Sequence, residues 1–67
     1  MKYNLTEFGK KIKISLIEQN QTQEWLIAQV KEKTGLYFDS SYLNKIMTGK
    51  NNSPRILSAI KEILGIQ

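Results

Sequence analysis

The sequence predicts one all-α domain spanning residues 1–67. Two patterns point there. Apolar residues recur at three- and four-residue spacing in four successive stretches, and none of them alternates as a strand does. Between the stretches stand helix start and stop signals: Thr22, Gly35, Asp39, Gly49, Ser53-Pro54 and Gly65. Leu36-Tyr37-Phe38 is too short and too close to Gly35 to form a sheet element, and there is no repeat or low-complexity stretch.

Asn4-Leu5-Thr6-Glu7 has the form of a capping box, with Asn4 as N-cap and Glu7 three residues on. The first helix then runs to about Gln19. Phe8, Ile12 and Leu16 form its buried stripe, widened by Leu5 and Ile17. Lys10, Lys11 and Lys13 fall on its wet face, with a nucleic-acid backbone contact from one of them left open. Tyr3 and Phe8 read as N-terminal packing residues. Asn20-Gln21 is a short connection, and Thr22 caps a second helix that buries Leu26, Ile27 and Val30. That helix should continue through Lys31, Glu32 and Lys33 and stop at Gly35, a residue free to take the left-handed conformation. Leu36, Tyr37 and Phe38 should fold back over the core. Trp25 either packs against Tyr37 or Phe38, or stands exposed as an anchor for a partner protein.

Asp39 is the expected N-cap of the third helix and Gly49 its stop. Ser53-Pro54, a cap followed by a first-turn proline, starts a fourth helix. It carries Ile56, Leu57, Ile60, Ile63 and Leu64 inward and ends at Gly65. The third helix is the most informative. Leu43, Ile46 and Met47 lie on one face of it, whereas Ser40, Ser41, Asn44, Lys45 and Thr48 lie on the other. A short helix that hides one side and offers hydroxyls, an amide and an ammonium on the other suits the DNA major groove.

Composition narrows the function further. A chain of 67 residues is near the lower limit for a self-sufficient core, and without cysteine it has no disulfide to help. Histidine is absent as well, which removes the commonest general base and neutral metal ligand. The six carboxylates form no tight pair with a nucleophile and a base. An enzyme is therefore not expected, nor a bound metal or cofactor. Apolar runs are too short to span a membrane, and the N-terminus lacks the apolar core of a secretory signal, so a cytoplasmic location is expected. The net charge is +4, and residues 40–61 contain Lys45, Lys50, Arg55 and Lys61 with no acid. That is either a footprint for a polyanion or a basic solvated surface.

The pattern FGKKIK, TQEWL, SSYLNKIMTGKNNSP and ILSAIKEILGI, in that order, resembles the Cro and lambda-repressor type of helix-turn-helix domain, the XRE family. The resemblance covers Phe8 to Ile66. Its more specific elements are Thr22-Gln23 before Leu26, Tyr42-Leu43 with Ile46 and Gly49-Lys50, then Pro54 and Leu64-Gly65-Ile66. It implies a compact lambda-repressor-like domain of four or five helices. It also implies a sequence-specific transcriptional regulator of double-stranded DNA, repressor-like and of phage or mobile-element type. The helix from Ser40 to about Thr48 would be the recognition helix, with Ser40, Ser41, Asn44 and Lys45 facing bases. Serine hydroxyls read several bases. Asn44 would pair bidentately with adenine or stay solvated, and Lys45 would reach a guanine edge or a phosphate. Thr22, Gln23, Lys50, Asn51, Asn52 and Arg55 match positions that hold the backbone, and Gln23 also braces the recognition helix.

Two departures from the family pattern stand out. The turn before the recognition helix is lengthened, occupying residues 31–38 where many members use a very short connection. Leu16 and Met47 occupy positions where members often carry a buried Arg and Glu. An apolar pair of similar volume can replace such an ion pair at little cost, because no charge need be desolvated. The resemblance also implies a weak homodimer, or dimers formed only on DNA. A competing function is a protein-interaction module, such as an antitoxin or antirepressor, which an exposed patch of Trp25, Tyr37 and Phe38 would favour. Nonspecific nucleic-acid binding is a third.

Overall fold

In the computed structural model, which describes residues 5–66, the chain forms α1 (Glu7–Glu18), α2 (Gln23–Thr34), α3 (Ser40–Met47) and α4 (Pro54–Leu64). No strand occurs among the described residues, and no helix among them is long and apolar enough to cross a membrane.

Helix α1 begins later than the capping-box reading placed it. Thr6 is its N-cap, its Oγ1 accepting the Gly9 N–H at 3.0 Å. The proposed cap Asn4, like Tyr3, lies outside the described residues. Thr6 is preferred there because it does two jobs. Its own N–H and hydroxyl both donate to the Met47 carbonyl, at 3.0 and 3.2 Å, so the start of α1 satisfies the end of α3. Helix α1 ends on Asn20, whose φ of 58° is left-handed. Asn20 N–H donates to Ile17 O and Gln21 N–H to Leu16 O, the paired bonds of a Schellman motif. Thr22 Oγ1 then accepts the Trp25 N–H at 3.0 Å and starts α2. As expected, α2 continues past Lys33; it stops at Gly35, with φ 69°.

All four helices feed one core. Ile12 and Leu16 of α1, Leu26 and Val30 of α2, Leu43, Ile46 and Met47 of α3, and Ile56, Ile60 and Leu64 of α4 are buried together. Leu16 and Met47 sit in it as an uncharged pair, and Ser15 is the only buried polar residue among those described. The α2–α4 interface is the most extensive, and the Lys33–Glu62 ion pair at 2.9 Å spans it. The end of α1 is tied to the end of α4 by Gln19 Nε2, which donates to Leu64 O at 3.0 Å.

Three packing expectations need correction. Ile17 does not widen the buried stripe of α1; it is 77% exposed. One residue beyond Leu16 is a rotation of about 100°, which carries Ile17 round to the outer side. Only Phe38 of the turn folds over the core, at 1% exposure, with its ring centroid 5.0 Å from that of Tyr42. Leu36, at a bend, stays at the surface, and Tyr37 is 74% exposed, its hydroxyl donating to the Asp39 carboxylate. Ile27, Leu57 and Ile63 are half-buried at the margin of the core.

Candidate nucleic-acid interface

Helix α3 divides as its spacing predicts. Leu43, Ile46 and Met47 are buried, while Ser40, Ser41, Asn44 and Lys45 are exposed. Both ends of this short helix are fixed by local bonds. At the start, Asp39 Oδ1 accepts the Tyr42 N–H at 2.8 Å, and Oδ2 accepts the Tyr37 hydroxyl. At the end, Gly49 is left-handed with φ 81°. Its N–H donates to Ile46 O at 3.2 Å and the Lys50 N–H to Lys45 O at 2.8 Å, again a Schellman motif. The Asn51 N–H shares the Lys45 carbonyl, and Asn51 Oδ1 accepts the Ser53 N–H at 3.1 Å. The backbone of Lys50 is therefore held against α3 while its side chain stays exposed. Asn51 is half-buried and braces the loop. Ser53 is the N-cap of α4 but makes no side-chain capping bond.

The bonds on Asp39 make its carboxyl sensitive to acid. The Tyr37 hydroxyl, and next the Tyr42 N–H, hold its pKa below the ordinary value, and the same bond raises that of the Tyr37 phenol. A depressed folded pKa gives stability that is present above the unfolded value and lost as pH falls through the folded one. Thermal melts should therefore show wild type more stable than Tyr37→Phe at neutral pH. The gap should close below about pH 4, where carboxylates ordinarily protonate. A gap independent of acid would disprove the assignment.

The exposed side of α3 does not stand alone. Ser40, Ser41 and Asn44 line one concavity of about 440 Å³ together with Gln23 at the start of α2, Lys13 of α1, Leu5 and Met47. No carboxylate lines it. The starts of α2 and α3 thus meet at one surface. In each first turn, Thr22 or Asp39 caps the third N–H, leaving those of Gln23 and Glu24, and of Ser40 and Ser41, outside the helical ladder. Such ends carry positive partial charge and attract anions. The exposed Glu24 offsets part of this at α2. Five polar side chains that donate hydrogen bonds, one of them a full cation, leave this hollow suited to a polar or anionic ligand.

The remaining expected contacts are distributed differently. Thr22 is exposed beside Gln23, its Oγ1 accepting within the cap but its hydroxyl still able to donate. Lys45 and Lys50 are exposed at the far end of α3 and just past it, outside the hollow's lining. Asn52 lines a separate depression with Thr6, Phe8 and Lys61, where the Lys61 ammonium lies 5.8 Å from the Phe8 ring centre. Arg55 lines a third with Lys33, Thr34 and Glu62. The basic run that looks free of acid along the chain has a carboxylate beside it in space, because Glu62 follows on the same face of α4. Of the three lysines on the wet face of α1, for one of which a backbone contact was left open, Lys13 is the one that lines the main hollow. Trp25 is half-buried against the core and Phe38 fully buried, so the two do not form an exposed aromatic patch with Tyr37.

Among the described residues no cluster of acids or other ligands could hold a metal ion. No protein-family model, curated protein or solved structure matches the chain.

Proposed function

We propose that this protein is a sequence-specific duplex DNA-binding regulator built as a lambda-repressor-like helix-turn-helix domain, acting in the cytoplasm by occupying an operator. The observation that carries this reading is the convergence of Gln23, Ser40, Ser41, Asn44 and Lys13 on one acid-free concavity at the starts of α2 and α3. Helix α3 is eight residues, about 12 Å long, and its outer side is free to enter a major groove of similar width. In this arrangement Ser40, Ser41, Asn44 and Lys45 select sequence. Thr22, Gln23 and Lys50 fix register on phosphates, with Lys13 added from α1. Asn51 serves by shaping the loop that carries Lys50. Asn52 and Arg55 are peripheral backbone contacts.

Selection from a random duplex library tests the reading. An enriched motif is expected, and Asn44→Ala should relax it at one position. Tight binding without enrichment would reduce the function to nonspecific DNA binding. No duplex binding at low salt would leave the protein-interaction module. If about four to six phosphates are contacted, log K should fall against log salt with a slope of roughly −4 to −5 per domain. A slope near zero would remove the electrostatic half of the proposal.

A further inference from the structure

The outer side of α1 carries two aliphatic side chains with nothing over them, Ile14 at 55% exposure and Ile17 at 77%. They are three residues apart, so they form one short stripe, extended by Lys10 toward the N-terminus. Lys11 and Glu18 flank the stripe on one side and Lys13 on the other, as the helical rotation of about 100° per residue requires. Lys11, Lys13 and Glu18 are all exposed. The only ion pair among the described residues is Lys33–Glu62, so the two charges on that flank are unmatched within the chain.

From this pattern we infer that the outer stripe of α1 is a self-association surface, on which a second copy of this chain docks its own α1 antiparallel. Two-fold symmetry then places Ile14 of each copy against Ile17 of the other, and one contact makes the second. A two-fold axis perpendicular to both helices keeps like flanks on the same side. Lys11 of each copy therefore faces Glu18 of the other, giving two reciprocal ion pairs beside the aliphatic seam. A parallel pair, with its two-fold axis along the helices, would instead bring the Lys11–Glu18 flank of each copy beside the Lys13 flank of the other, leaving Lys11 with no carboxylate opposite it on that flank. The antiparallel symmetry leaves both Lys13 flanks on one side of the pair. Lys13 also lines the α2–α3 hollow, so each hollow borders the contact.

The size of the stripe sets the strength. Helix α1 has 12 residues, about 18 Å of length. A contact of that length falls short of the roughly 800 Å² per partner that stable interfaces bury. Association is therefore weak and visible only at high protein concentration. This inference stands apart from the DNA-binding reading, since it can be tested without nucleic acid.

Sedimentation equilibrium of the full chain at low ionic strength, up to about 1 mM, is the test, a range set by the weak-interface class. Wild type is expected to shift from monomer to dimer across that range. Ile17→Asp should weaken association about 100-fold or more, because each dimer loses two buried isoleucines, while its circular dichroism spectrum stays native. Lys11→Glu should also weaken it, and the swap Lys11→Glu/Glu18→Lys should restore it. A wild type that stays monomeric throughout overturns the inference. So does a dimer indifferent to Ile17→Asp, or a swap that fails to restore what Lys11→Glu removed.

Discussion

Gly9→Ala should destabilise the domain by about 2 kcal/mol or more, reversing the sign usual for glycine replacement in a helix. In an exposed helix interior, alanine gains up to about 1 kcal/mol over glycine. At Gly9 the added Cβ would lie only 2.2 Å from the Met47 carbonyl oxygen and 3.0 Å from its carbon. Both are backbone atoms, so no rotamer change can relieve the overlap. That carbonyl also accepts both Thr6 bonds, so moving α3 away breaks the junction that starts α1. Urea unfolding of Gly9→Ala beside Ala28→Gly, at an exposed position of α2, checks the point. Both changes should destabilise, although they run in opposite chemical directions. A stabilised Gly9→Ala would mean that α1 and α3 do not approach this closely.

Phe38→Ala should be the most damaging single change in the turn, costing about 3–5 kcal/mol. A chain of this length has a total stability of only about 3–10 kcal/mol, so the variant should be partly or wholly unfolded at room temperature. The reason is local. Phe38 is 1% exposed and joins the core contributed by all four helices. It is also the last residue before Asp39, the cap of α3. Losing the ring removes core volume and loosens the residue that positions the helix start. Leu36→Ala, two residues earlier and at the surface, should cost under about 1 kcal/mol. Thermal or urea melts of the two variants should differ sharply. Equal, small losses would show that the turn does not contribute to the core.

The helix ends were legible wherever a local residue carries the signal. Thr22, Gly35, Asp39 and Gly49 act within a few residues of themselves, so sequence order suffices. The division of α3 into a buried and an exposed side was legible for the same reason. The cap of α1 was not, because Thr6 is chosen by its bonds to Met47, distant in sequence. The turn at 35–39 was half legible: its apolar residues announced a core contribution, but only the backbone path decides that Phe38 enters and Tyr37 does not. Ile17 misled because a one-residue step moves a side chain from the edge of a stripe to its back. Gly9 showed in the sequence only as a residue that weakens a helix relative to alanine. Its partner could come only from the fold. For the candidate site, the chain shows Gln23 and Ser40–Asn44 as polar helix starts, yet their meeting with Lys13 depends on how α1 packs across α3.

The hollow between the starts of α2 and α3 is proposed to receive duplex DNA. Mapping amide chemical shifts by nuclear magnetic resonance tests it most directly, using a titration with the duplex enriched by selection. The largest shifts should fall on Gln23, Glu24, Ser40, Ser41 and Asn44, with Lys13 and Lys50 next. Ser58 and Glu62 on the outer part of α4, and Ile17 on the back of α1, should stay nearly unmoved. Shifts centred instead on α4 or on the outer stripe of α1, with Ser40 to Asn44 unaffected, would contradict it.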